Sequence, residues 1–293
     1  MTPVYNAEAT IEKCINSVIS QSLSFDEIEY ILVDDFSTDD SVNILRHYAK
    51  KYPNITVVLL NKNTGTAAIP RNIGIELATT DKLMFLDADD WLDKKGIERL
   101  VTLMDETGDD FAIGKTIKVT DKSETIHAEF MSYYETKHAN PFDLPYLFYH
   151  MGPPSKMMKT AILKENNIRF PELKFGEDKY FFYRVLLNCE RVSIINEPIY
   201  YVNRLTENNA SLTRVTAALD KRYVDVEILK KVLAFQLPDN KEKVLVKRLV
   251  EYDLIKTCDS VTFIKSKKKH EYIQLLRETL SLLKDKNYQI TET

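Results

Sequence analysis

The stretch Leu83-Met84-Phe85-Leu86-Asp87-Ala88-Asp89-Asp90-Trp91 runs from an apolar segment straight into three carboxylates within four residues. The apolar run reads as a buried strand, and the acids stand at its carboxyl end. Like charges this close repel, so at neutral pH they need a cation or strong hydrogen-bond donors. A hard divalent ion such as Mn²⁺ or Mg²⁺ accepts carboxylate oxygens and can bridge them to phosphate oxygens. The i, i+2 spacing of Asp87 and Asp89 lets two acids approach one ion. The same spacing also serves a solvated turn with a helix cap, and spacing alone leaves both readings open.

The sequence before this stretch repeats the design. Ala9 to Gln21 places Ile11, Cys14, Ile15 and Val18 at helical spacing, and Ile28 to Val33 is an apolar run ending in Asp34-Asp35. Ser37 or Thr38 is positioned to cap a helix that turns Val42, Ile44, Leu45 and Tyr48 inward. Ile55 to Leu60 reads as a strand, Arg71 to Ala78 as a helix, and Lys82 to Leu86 as the strand entering the acids. This alternation predicts an α/β fold with a mostly parallel sheet and ligands beyond the carboxyl ends of its strands. A strand is expected just before Met1-Thr2-Pro3-Val4-Tyr5-Asn6, so the numbering is expected to start late. From about Val215 the pattern turns helical, with Leu219, Tyr223, Val226, Leu229 and Leu233 on one face, then Val244 to Phe263 and Glu271 to Leu283. Two domains are expected, 1–214 and a helical region 215–293 suited to oligomerisation or acceptor contact.

Further polar groups accompany the acids. An acid at Asp34 or Asp35 could accept hydrogen bonds from a ribose or a base, whereas Ser37, Asp39 and Asp40 read as helix caps. In Phe175-Gly176-Glu177-Asp178-Lys179-Tyr180-Phe181-Phe182 two acids precede an aromatic helical face. They are either acids stabilised by the helix dipole or, in a cleft, a general base. Asn63 to Asn72 is a turn with Arg71 near a helix N-terminus, suited to a diphosphate, and Arg204 lies in the polar loop Asn203 to Ser211.

Composition narrows the classes. The chain has 293 residues, 44% of them hydrophobic, and a net charge of −4, which argues against a nucleic-acid binder. Its 7 glycines include no GxGxxG, which excludes a Rossmann dehydrogenase. The 3 cysteines, Cys14, Cys189 and Cys258, form no CxxC pair, so neither a disulfide framework nor a thiolate zinc site is expected. No apolar run approaches the ~18 residues of a membrane span and no signal segment opens the chain. The expected location is cytoplasmic, with peripheral contact at the inner face of the membrane left open.

Together these segments resemble family 2 glycosyltransferases with the GT-A fold. The matching motifs, in order, are Thr-Pro-Val-Tyr-Asn, Val-Asp-Asp-Phe-Ser, Asn-x-Gly-x-x-x-x-Pro-Arg-Asn, Asp-Ala-Asp-Asp and Gly-Glu-Asp, spanning roughly residues 1–215. The resemblance implies that Pro3 and Tyr5 frame the uracil of a UDP-sugar and that Asp35 accepts from its N3–H. Asn63 and Arg71 would complete the nucleotide pocket, Asp87 would contact ribose, and Asp89 would ligate a Mn²⁺ or Mg²⁺ ion bridging the diphosphate. Asp178 would be the base of an inverting displacement, helped by Glu177, and Arg204 and Ser211 would close over the diphosphate.

A narrower similarity rests on Pro70-Arg71-Asn72, Ser155-Lys156-Met157 and Gly176-Glu177-Asp178 leading into an aromatic face. The chain looks like the wall teichoic acid glycosyltransferases of Gram-positive bacteria, which add N-acetylglucosamine to poly(ribitol phosphate). That implies UDP-GlcNAc as donor, an anionic glycopolymer as acceptor, and a homo-oligomer formed through the C-terminal helices. Lys267-Lys268-Lys269-His270 would either meet such a polymer or form a solvated helix end. The chain departs from those enzymes at Glu207-Asn208-Asn209, where they often place a histidine.

Other readings stay open. One is assembly of capsular, exopolysaccharide or glycoprotein glycans. Another is a sugar nucleotidyltransferase, which calls for a glycine- and lysine-rich phosphate loop not found here. A phosphatase of the haloacid-dehalogenase type would continue Asp-x-Asp to Thr or Val, whereas Asp89 is followed by Asp90-Trp91. A non-catalytic helical binding module is the remaining alternative.

Overall fold

Strand β2 (Tyr30–Asp34) is buried at every position, which is the environment of a strand covered on both faces. It lies between β1 (Thr2–Val4) and β3 (Ile55–Leu59), parallel to both, with Val4 opposite Asp34 and Asp34 opposite Leu59. The computed structural model describes residues 1–131, 133–173, 176–205, 218–259 and 261–284. They fall into two compact units, Met1–Asn209 and Ala210–Thr293.

The amino group of Met1 donates to the Met84 carbonyl at 2.8 Å, and the Leu86 N–H donates to the Met1 carbonyl at 3.0 Å. These bonds carry β1 onto β4 (Lys82–Met84) in a parallel sense. β4 opens a second sheet with β9 (Lys156–Lys159), β6 (Phe111–Val119), β10 (Val192–Asn203) and β5 (Trp91–Leu92), in that order. β6 and β10 run parallel, and β7 (Glu124–His127) and β8 (Thr136–Ala139) flank them. The carboxyl ends of β1, β2 and β4 therefore meet along one edge, where Tyr5, Asp34-Asp35 and Asp87 follow.

Helix α1 (Ile11–Ile19) buries Ile11, Cys14, Ile15 and Val18, the residues at helical spacing in the sequence. Cys14 is fully enclosed and burial pushes its thiol up to about 12, so it serves as a small hydrophobe. Helix α2 (Ser41–Lys51) starts later than the sequence suggests, with Asp40 at its N-cap. Ser37 accepts instead from the Asn6 N–H at 2.9 Å, and Asp39 accepts from the Glu8 N–H at 3.0 Å and the Ser41 N–H at 3.0 Å. The polar residues after β2 thus tie down the turn after β1. Helices α3 (Ala68–Leu77), α4 (Gly96–Thr107), α5 (Thr160–Glu165) and α6 (Glu177–Leu187) complete the unit, α4 ending at Gly108 in the left-handed conformation.

The second unit comprises α7 (Ala218–Leu233), α8 (Asp239–Lys247), a π-helical stretch (Arg248–Ile255), α9 (Val261–Lys265) and α10 (Lys269–Ser281). Val244 to Phe263 is therefore not the single α-helix its periodicity suggests. Wider π turns bring residues five apart into register, and Arg248 meets Asp253 at 2.7 Å, both buried. No described helix is long and apolar enough to cross a membrane.

Candidate active site

Arg71 is the hub of the carboxyl edge. It sits in the first turn of α3 and is only 4% exposed. Its guanidinium donates to Asp178 at 2.8 Å and Asp87 at 2.9 Å, with Glu177 at 3.6 Å. Burial alone would oppose its charge, but Asp178, Asp87 and Glu177 outweigh it and hold the group firmly protonated. One cation therefore fastens the acid after β4 to the two acids that open α6.

Aromatic packing fixes the same geometry. Phe170 stacks on Phe181 with ring centroids 3.7 Å apart, and Phe85 packs edge-on against both at 5.3 and 5.8 Å. Phe85 immediately precedes Leu86-Asp87, and Phe181 lies one turn after Asp178, so these rings set the distance between strand and helix. Arg71 lies over the Phe170 ring at 5.2 Å. Asn72 exchanges two hydrogen bonds of 2.8 Å with the backbone of Phe170. Phe170, which local sequence pattern did not single out, and Asn72, which closes the Pro-Arg-Asn motif, are positioning residues.

The acids differ in environment. Burial, then repulsion from Asp178, raises Glu177 to about 7 against the pull of Arg71. Burial raises Asp178 too, and Asp87 adds to this, while Arg71 and Lys156 oppose it. The Asp178 side chain keeps 28% of its surface exposed, enough to meet a solute. Lys156 is wholly buried, donating to the carbonyls of Gly152 at 2.6 Å and Pro154 at 3.1 Å. Burial lowers its amine to about 7, with Asp178 resisting that change.

Within Asp87-Ala88-Asp89-Asp90 the tasks divide. Asp90 is buried, accepting from the Tyr200 hydroxyl at 2.8 Å and the Asn203 N–H at 2.7 Å. Tyr200 also accepts from the Asp87 N–H at 3.0 Å, so the end of β10 shapes the acidic turn. Burial and the charges of Asp89 and Asp87 hold Asp90 well above the ordinary carboxylate range. Asp89 is half-buried. Among the described residues no group of three or more His, Cys, Asp or Glu could hold a metal. An ion here would therefore need other donors besides Asp89. The half-buried Asp89 carboxylate is the hard oxygen donor that such an ion takes.

Along the same edge, Asp35 is buried and accepts from Thr64 twice, from its N–H at 2.9 Å and its hydroxyl at 3.0 Å. Asn63 donates to the Asp35 carbonyl at 3.2 Å. Pro3 stands opposite Val33 in the sheet, while Tyr5 (51%) and Phe36 (49%) are the exposed aromatic rings after β1 and β2. Phe36 has a φ of 65°, an unusual conformation for a bulky residue. It is a planar surface beside Asp35, part of the Val-Asp-Asp-Phe-Ser motif but given no role there. Arg204 follows β10 and donates to the Asn203 carbonyl at 2.8 Å. Ser211 lies outside the described residues.

The sequence profile of glycosyl transferase family 2 matches residues 1–166. The poly(ribitol-phosphate) beta-glucosyltransferase of Bacillus spizizenii is 33% identical over 68% of this chain and 31% of its own. The poly(ribitol-phosphate) beta-N-acetylglucosaminyltransferase TarS of Staphylococcus aureus is 30% identical over 78% of this chain and 40% of its own. This chain thus spans less than half the length of either enzyme. The crystal structure of TarS residues 1–349 with UDP-GlcNAc superposes with a TM-score of 0.81 at 26% identity, covering 96% of this chain and 79% of that one. The profile covers more than half of this chain, and the chain belongs to glycosyl transferase family 2.

Proposed function

We propose that the protein is a metal-dependent inverting glycosyltransferase that moves a sugar from a UDP-sugar, with UDP-GlcNAc favoured, to an anionic cell-surface polymer of the wall teichoic acid kind. The observation that carries this reading is the Arg71 clamp, which brings Asp178, Glu177 and Asp87 together beside Asp89. The names of the two relatives and the UDP-GlcNAc in the TarS crystal support the choice of substrates.

In this reading Tyr5, with Pro3 beside it, stacks on the uracil, and Asp35 and Asn63 line the base pocket. Asp87, oriented by Arg71, receives the ribose, and Asp89 would hold Mn²⁺ or Mg²⁺. Such an ion would supply positive charge against that growing on the leaving UDP. Arg204 adds to that neutralisation, and the Ser211 hydroxyl would donate a hydrogen bond to the diphosphate. The acceptor hydroxyl gives its proton to an Asp178 carboxylate oxygen and attacks the anomeric carbon opposite UDP, so configuration inverts. Basicity raised by burial and by Asp87 suits Asp178 to that task, with Glu177 beside it as a helper. The helical unit is proposed to serve oligomerisation or acceptor contact.

Screening UDP-sugars with Mn²⁺, followed by mass analysis of products on teichoic acid and on capsular glycan precursors, tests the assignment. Sugar added to the teichoic acid supports it. Transfer to capsular precursors alone moves the acceptor class, and release of UDP from no donor overturns the enzyme reading.

A further inference from the structure

The register of β6, β7 and β10 gathers a second set of charges. Thr116 stands opposite His127, Thr125 opposite Lys118, and Lys118 also opposite Val202. Paired residues point to one face and alternate residues of a strand share it, so Lys118 and His127 are diagonal neighbours on a common face. Arg204 follows two residues after Val202, its N–H bonded to the Val119 carbonyl at 2.8 Å. The Tyr133 hydroxyl donates to the His127 carbonyl at 3.0 Å and so steadies the backbone under the imidazole.

His127 meets His150 edge-on, with ring centroids 5.3 Å apart. His150 is 4% exposed, and both of its ring nitrogens are buried without a hydrogen-bond partner. Buried polar atoms are nearly always bonded, so an orphaned imidazole marks a place built for something besides packing. Burial, then the charges of Lys156, Arg204 and Lys118, depress the basicity of His127. Burial, Lys156 and His127 do the same at His150. None of Lys118, His127, Lys156 and Arg204 forms an ion pair with a carboxylate among the described residues. That is unusual for a chain in which 44 acids outnumber 40 lysines and arginines.

We propose that the exposed Lys118 and His127, backed by His150 and Lys156, form a subsite for a phosphodiester group of the acceptor polymer. The inference rests on the acceptor class proposed above. A phosphodiester anion balances the charges of Lys118, Lys156 and Arg204 and accepts N–H bonds from the His127 imidazole and the Lys118 ammonium. Lys156 lies over the Phe182 ring at 5.3 Å, one turn along α6 from Asp178, which places the subsite beside the helix that carries the proposed base. A phosphate held there would present a neighbouring polyol hydroxyl toward Asp178.

The test is calorimetric titration of the full chain, saturated with UDP and Mn²⁺, with a ribitol-phosphate oligomer. Replacing both exposed side chains, His127→Gln with Lys118→Gln, is expected to weaken oligomer binding at least tenfold and flatten its salt dependence. Affinity for UDP should stay within twofold, and an unchanged unfolding midpoint will show that the variant folds. Equal oligomer affinity in both proteins, no oligomer binding by the unmodified chain, or a matching loss of UDP affinity would overturn the proposal. The readout is binding, so a protein that binds the oligomer here but transfers no sugar to it refutes the proposed reaction and leaves the subsite standing.

Discussion

Arg71 and Asp178 are 107 residues apart in sequence and 2.8 Å apart in space. Each was visible beforehand as part of a short motif, but their bond was not, because no local pattern encodes a contact of that range. Removing the cation leaves three clustered acids uncompensated. Arg71→Met should therefore lower stability by roughly 3 kcal/mol, read from urea unfolding. An unchanged midpoint would mean that the acids do not depend on it. Glu177 adds a pH signature. Its folded value of about 7 lies above the ordinary 4.5, so the folded protein holds an extra proton between those values. Its contribution to stability is fully present below pH 4.5 and is lost as pH rises through 7. Glu177→Gln should flatten the fall in thermal midpoint over that window, and a slope identical to that of the unmodified protein would contradict the assignment.

At the scale of elements, the strands and helices of the first unit were legible because their apolar residues recur with clear periods, as along α1. What the sequence concealed was how one element serves another. Asp90 read as one of three repelling acids that need a cation or strong donors, and it finds its donors in Tyr200 and the Asn203 N–H, which anchor it to β10. Of the residues after β2 that read as helix caps, Asp40 stands at the N-cap and Asp39 bonds the Ser41 N–H, while Ser37 and Asp39 also bind the turn after β1. In the second unit periodicity misled, since a buried Arg248–Asp253 pair sits in a π-helical stretch that apolar spacing does not reveal. Tyr200→Phe removes a buried hydroxyl that serves both Asp90 and the Asp87 N–H, orphaning two polar groups. The expected cost is about 1–3 kcal/mol, with a loss of activity larger than the unfolded fraction explains. Chemical unfolding and initial rates on the same samples measure both, and an effect confined to stability would remove Tyr200 from the shaping of the acidic turn.

For the whole molecule, the sheet brings loops from distant parts of the chain to one edge, and Arg71 joins two of them through their acids. Fold class and family were readable from five short motifs in order, because each lies at a strand end or helix start where backbone geometry is fixed. The Lys118–His127–His150–Lys156 cluster was not readable, because it depends on strand register. The central claim is that Asp89 and Asp178 perform separate tasks in one transfer reaction. The direct measurement is steady-state transfer from UDP-GlcNAc to poly(ribitol phosphate) by the unmodified chain, Asp89→Ala and Asp178→Asn, with Mn²⁺ and after its removal by EDTA. Transfer should stop with EDTA and return with Mn²⁺, and Asp89→Ala should weaken metal-dependent donor binding. Asp178→Asn should cut kcat roughly 100- to 10,000-fold while leaving the donor KM within about twofold. Transfer that persists in EDTA, or an Asp178→Asn protein with unreduced kcat, would contradict the account.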